Sequence, residues 1–248
     1  MNTAGCLLIY GGGLLLCVGV ASLLRPMRFL RVTSRRKALG LVLAGLLSAS
    51  LGASLPAPAR RASSMQSHLD RWVPEWQFGE YHALDIDASP DRVYRAIREV
   101  TADDIFLFRT LTWIRNPARR VEGASILAPS ERPIVDVALE GGFFMLDDDP
   151  PHELVMGTLV LWDGLSRPTG GDGLLDLLRR PGNALAAINF RVVEQREGSC
   201  RLITETRTYA SDDDARRKFA RYWRVIYPGS SLLRHTWLRA IRRHAEEP

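Results

Sequence analysis

No aspartate or glutamate occurs before Asp70. Over that stretch stand Arg25, Arg28, Arg31, Arg35, Arg36, Lys37, Arg60 and Arg61, eight of the 33 Lys/Arg residues. The other 25 face all 28 acids, so a chain of net charge +5 carries about −3 from Asp70 onward. The basic excess belongs to the front of the chain. A nucleic-acid partner, which needs a basic face on the folded domain, is excluded on this count. Cysteine is nearly absent: Cys6 and Cys17 lie in an apolar run and Cys200 stands alone beyond it. One cysteine permits neither a disulfide within the domain nor a Cys-based zinc site. There is no His-Glu-x-x-His helix and no Gly-x-Ser-x-Gly elbow. Gly170-Gly171-Asp172-Gly173 has neither the spacing nor the preceding strand of a phosphate loop. Asp147-Asp148-Asp149 reads as a solvated turn rather than a calcium site. No catalytic constellation, cofactor or metal is expected.

The front of the chain is apolar instead. Residues 4–24 carry no charge and match the ~20 residues a helix needs to cross a bilayer. Gly11 to Gly13 sit inside that run, and small residues in lipid mark helix–helix contact. Residues 38–55 form a second, shorter candidate, rich in Ser and Gly. Between them, residues 25–37 hold six positive charges, which the positive-inside rule places in the cytoplasm. The remainder then lies on the extracytoplasmic side of a bacterial inner membrane, behind a linker over 56–77 whose first part, 56–67, is rich in Pro, Ala and Ser. The other readings are a buried hairpin and a cleaved signal, the latter leading to export as well. Ser34-Arg35-Arg36-Lys37-Ala38-Leu39 resembles a twin-arginine signal followed by Ala57-Pro58-Ala59, and a start at Met27 would make a cleaved signal peptide. Ala4-Gly5-Cys6 faintly resembles a lipoprotein site, without the apolar run that should precede it.

From residue 78 the pattern is that of an α+β domain. Residues 81–88 alternate, with His82, Leu84 and Ile86 on one face. Ser89-Pro90-Asp91 opens a helix with a Ser cap and Pro at N1. Thr101-Ala102-Asp103-Asp104 caps a second, while 131–141 suits either a short helix or a strand. Strands follow at 143–146 and 152–162, then a Gly/Pro-rich loop over 163–183 with one helical turn near 174–178. Residues 187–195 and 200–209, joined by Glu197-Gly198-Ser199, read as an antiparallel hairpin. In its second strand Thr204, Thr206 and Thr208 share one face, and Glu205 and Arg207 the other. A helix from about Asp212 is expected to break at Pro228-Gly229 and resume at Ser230 or Ser231.

Pro151–Gly157, Asn189-Phe190, Thr204–Arg207 and the tail Phe219, Tyr222-Trp223, Ile226, Pro228–Ser230, Trp237–Ile241 resemble a bacterial, membrane-anchored branch of the START/Bet v 1-like (SRPBCC) superfamily. The resemblance covers roughly residues 78–245. It implies a helix-grip fold, an antiparallel sheet wrapped around a long C-terminal helix, preceded here by two transmembrane helices. It also implies an apolar pocket between sheet and helix, and transfers no catalytic residue.

Candidate pocket residues are Phe143, Met145, Trp162, Glu205, Arg207, Phe219, Trp223 and Arg234. Of the histidines, His82 and His235 are the two able to point inward; His68 falls in the linker, His152 at a turn and His244 near the terminus. The expected function is non-catalytic binding of a hydrophobic small molecule or lipid by a membrane-tethered domain. One alternative is a cyclase- or aromatase-like enzyme using a pocket acid–base pair such as His82 or Glu205. The other is an envelope protein-interaction module, with a filled core and an exposed apolar patch.

Overall fold

The computed structural model describes residues 3–25, 30, 32–115, 132–162, 170–178 and 180–247. Parts of the expected basic loop (26–29 and 31, Met27 included) and of the Gly/Pro-rich loop (163–169) lie outside the described residues. The chain divides into two compact units, one of Met1–Pro58 with Ala220–Tyr227 and the other of Ala59–Phe219 with Pro228–Pro248.

The first unit is built on α1 (Thr3–Leu24) and α2 (Arg35–Ser54). Both are long and apolar enough, by length and composition, to cross a membrane. They pack through small residues seven apart: Gly5, Gly12 and Gly19 on α1, Ala38, Gly45 and Gly52 on α2. A Cβ on Gly12 would lie 2.7 Å from the Gly45 carbonyl oxygen, and one on Gly52 would lie 2.9 Å from that of Gly5. Close backbone approach of this kind is how apolar helices associate where lipid supplies no hydrophobic drive. Of the three consecutive glycines only Gly12 lies at the contact; Gly11 and Gly13 face open space. Gly45→Leu is therefore expected to lower the midpoint for thermal loss of helicity in detergent, by an overpacking cost of about 1–3 kcal/mol. Gly11→Leu and Gly13→Leu should leave that midpoint in place. Residues 220–227 join this unit through Arg224, whose guanidinium donates to the carbonyls of Ala53, at 2.7 Å, and Leu55. The Tyr10 hydroxyl donates to the carbonyl of Val225.

In the second unit a five-stranded antiparallel sheet has the order β3-β7-β6-β5-β4. The strands are β3 (Phe78–Ile86), β4 (Phe144–Asp149), β5 (Glu153–Leu161), β6 (Ala184–Arg196) and β7 (Ser199–Ala210). The β6–β7 hairpin turns at Gly198, whose φ of 73° suits glycine. Before the sheet come β1 (Arg60–Arg61), α3 (His68–Trp72) and β2 (Glu75–Trp76), so the expected linker carries structure of its own. Between β3 and β4 lie α4 (Pro90–Glu99), α5 (Phe108–Arg115) and α6 (Ile134–Glu140). Pro90 stands at N1 of α4, but Ser89, at the N-cap, makes no side-chain cap bond. Helix α7 (Gly170–Leu178) is longer than the single turn expected there.

The closing helix α8 (Asp213–Glu246) is one element of 34 residues with Pro228 inside it, which corrects the expected break. Asp212 caps its start, and the amides of Ala215, Gly182 and Asp214 hold that carboxyl down at about 2. A proline in a helix interior costs about 3 kcal/mol in local terms. Here Phe219, Trp223, Ser230, Arg234, Trp237 and Ile241 keep one helical phase across the Pro-Gly pair. Packing along that phase outweighs the local penalty.

The α8-facing side of the sheet and the covering helices share one core. It includes Ile86, Val93, Ile97, Leu154, Met156, Phe190, Leu202, Trp237 and Ile241. On the opposite side, Leu69 and Val73 from the α3 segment pack with Val155, Leu174 and Leu185. Each face of the sheet is thus covered by its own layer.

Candidate functional site

The α8-facing side of the sheet changes character along its length. The β3–β7 register pairs Ile86 with Cys200, Leu84 with Leu202, His82 with Thr204, Glu80 with Thr206 and Phe78 with Thr208. Period-two alternation puts all ten on one face. The Ile86 end is apolar and filled. From His82 onward the face carries a buried acid, an imidazole and three threonines.

Helix α8 meets this polar stretch with its own polar residues. Ser230 Oγ donates to Glu80 Oε1 at 2.5 Å. His82 Nε2 lies 3.2 Å from Glu80 Oε2, and Arg234 Nε lies 4.0 Å from Oε1. The Glu80 side chain is 1% exposed. The His235 ring stands edge-on to His82, with centroids 4.6 Å apart. The Arg234 guanidinium sits 5.3 Å from the Trp237 ring centroid. A carboxylate this deep is tolerable only with donors and a cation around it. Beside this cluster, Thr206 Oγ1, Thr208 Oγ1 and Trp237 Nε1 are buried without a hydrogen-bond partner among the described residues. Each such group costs roughly 1–3 kcal/mol, so three in one layer call for an explanation.

Glu205 and Arg207 lie on the other side of the sheet, as the alternation of β7 requires. Arg207 bonds Glu205 through Nε at 2.8 Å and Nη2 at 3.0 Å, the Val73 carbonyl at 3.1 Å, and Asp70 at 2.7 Å. Its guanidinium stacks 3.9 Å from the Trp76 ring centroid. Burial would weaken the Arg207 cation, but bonds and charge from Glu205 and Asp70 outweigh it, and its pKa is raised. Burial would likewise raise Asp70; the Gln66 amide, Arg207 and the Ser67 amide together lower it. These residues border a hollow of about 360 Å³ with Arg61, Tyr81 and Asn189. Every polar group of Arg207 is already occupied, so the cluster works as a clasp between α3 and the sheet.

His68 extends the clasp. Its amide donates to Glu153 at 2.8 Å, and its ring lies 3.0 Å from Asp147 and 3.3 Å from Asp149. Burial would lower its pKa, but the bonds and charges of Asp147, Glu153 and Asp149 prevail and raise it. A raised folded-state value stabilises fully below the ordinary ~6.5 of histidine and is lost as pH rises through the folded value. The unfolding midpoint is expected to fall over that window in the wild type, with a smaller fall in His68→Gln, followed by tryptophan fluorescence.

The expected pocket residues therefore divide. Phe143 and Met145 pack against the α8-side core. Phe219 is buried with its ring 5.0 Å from that of Phe78, and Arg234 joins the Glu80 cluster. Trp162 is 42% exposed past the end of β5. Trp223 belongs to the first unit, its ring 5.9 Å from Tyr227. Glu205 and Arg207 belong to the opposite face. Glu80 and Ser230 are additions. Carrying the alternation of His82, Leu84 and Ile86 two residues back would have reached Glu80. Comparison with protein-family models and with curated protein sequences gives no match.

Proposed function

We propose that this chain is a membrane-tethered binding protein whose domain holds an amphipathic hydrophobic molecule, a lipid or a small apolar compound with one polar group, between the sheet and α8. The observation that carries the reading is the trio of unpartnered donors and acceptors beside Glu80, His82 and Arg234. Ligand sites combine an apolar lining with a few placed polar groups, and this face has that composition. A five-stranded antiparallel sheet with one long C-terminal helix supports the helix-grip, START/Bet v 1-like reading. The basic loop between α1 and α2 supports an extracytoplasmic domain.

Native mass spectrometry of the full-length protein, released from nanodiscs, is expected to show an apolar adduct. Thr206→Val removes one hydroxyl at nearly constant shape. It should weaken adduct retention about tenfold, the worth of one hydrogen bond, while leaving stability unchanged or higher. Absence of any adduct, with Thr206→Val changing nothing but stability, would overturn the reading.

The 3.2 Å contact of His82 with Glu80 favours a second reading, a cyclase-like enzyme with these two as acid–base pair. In that case His82→Gln abolishes conversion of the bound molecule while the adduct is still carried.

A further inference from the structure

The Arg224 contact has an unusual chemistry. The residue is buried, at 4% exposure, and its hydrogen bonds to the end of α2 go to backbone carbonyls, those of Ala53 and Leu55. The last carbonyls of a helix have no partner within it, and in water the solvent serves them. In lipid no solvent does, and every backbone polar group must be satisfied by protein. An arginine placed over the end of α2 meets that need and matches the negative pole of the helix dipole.

The surrounding side chains agree. Tyr10, which bonds the Val225 carbonyl, is 47% exposed, and Val225 itself is 58% exposed. Leu7 and Leu51, on the same ends of α1 and α2, are 73% and 55% exposed. Exposed apolar side chains thus stand on α1, on α2 and on residues 220–227 alike. Tyr222 and Tyr227, both half-buried, fall in the same eight residues, and such aromatics collect at the bilayer–water boundary. Arg221, exposed one turn before Val225, is placed to meet a lipid phosphate.

We propose that residues 220–227 of α8 are immersed in the headgroup and upper acyl region of the bilayer, as a third membrane element beside α1 and α2. This rests on the reading that α1 and α2 span the membrane. The partner of the exposed Tyr10–Val225 surface is lipid.

The test uses the full-length chain in phosphatidylethanolamine/phosphatidylglycerol nanodiscs, with Cys6, Cys17 and Cys200 replaced by alanine and one spin label at Val225→Cys, Leu14→Cys or Arg239→Cys. Collision with oxygen marks lipid, and collision with a water-soluble nickel chelate marks solvent. The Val225 label is expected to favour oxygen several-fold over the Arg239 label, at a shallower depth than the Leu14 label. A Val225 label as open to nickel as the Arg239 one overturns the proposal while the spans stand. A Leu14 label open to nickel overturns both. In the chain with its native cysteines, benzoylphenylalanine at Val225 should photo-crosslink to products of lipid mass; adducts to protein or water alone count against it.

Discussion

Replacing Arg207 by methionine is expected to destabilise the domain by about 3–5 kcal/mol, the usual cost of removing one partner from a buried ion pair. Asp70 and Arg207 are each 6% exposed in their side chains, and Asp70 takes its remaining bonds from the Gln66 and Ser67 amides. Methionine keeps much of the stem but leaves the Asp70 carboxylate facing Trp76 and Glu205 with no cation. The double variant Asp70→Asn with Arg207→Met should recover part of the loss, because it removes the charge that the single variant strands. A pH signature accompanies it. The folded-state pKa of Asp70 is lowered, so its contribution is present above the ordinary ~3.9 of aspartate and disappears as pH falls through the folded value. The acid limb of the wild-type profile should flatten in Asp70→Asn. Urea unfolding of the full-length protein in micelles, read by tryptophan fluorescence, measures each term. An Arg207→Met midpoint within about 0.5 kcal/mol of wild type would show that the pair contributes no more than exposed charges do.

The parts of this molecule that were legible in sequence are those set by local pattern. A run of about 20 uncharged apolar residues declares a helix long and apolar enough to cross a bilayer, and α1 has that length. Alternation over 200–209 separated Thr204, Thr206 and Thr208 from Glu205 and Arg207 correctly, and the structure puts the two sets on opposite faces. What local pattern could not supply is partnership at a distance. His68 meets Glu153 across 85 residues of chain; Ser67 and Asp70 form a capping box that marks a helix start, but nothing local says which strand that helix docks on. The Pro228-Gly229 pair shows the same limit from the other side. Judged by its neighbours it ends a helix; judged by the phase of Phe219, Ser230, Arg234 and Trp237 it does not. Glu80 lies one alternation step before the alternating run that starts at Tyr81, and Ser230, a cap candidate by local pattern, lies inside a continuous helix.

Glu80→Leu is expected to cost about 3–5 kcal/mol, and Glu80→Gln distinctly less, about 1–3. Leucine matches the apolar surroundings, yet it takes the carboxylate away from Ser230, His82 and the Arg234 guanidinium at once. Glutamine keeps the shape and one carbonyl oxygen, so it still accepts from Ser230 and gives up the charge and the second acceptor, which faces His82. Pairing Glu80→Leu with Arg234→Met should restore much of the single loss, since the cation and its carboxylate then leave together. The order matters for function as well as folding. If the Glu80 cluster holds the polar group of a bound amphipath, Glu80→Gln should alter adduct retention by more than its modest effect on the urea midpoint accounts for. A cluster that serves only to lock α8 on the sheet would lose stability and adduct in proportion across all three variants. A Glu80→Leu protein as stable as wild type would show that these side chains are satisfied without the acid, and the candidate site would lose its centre.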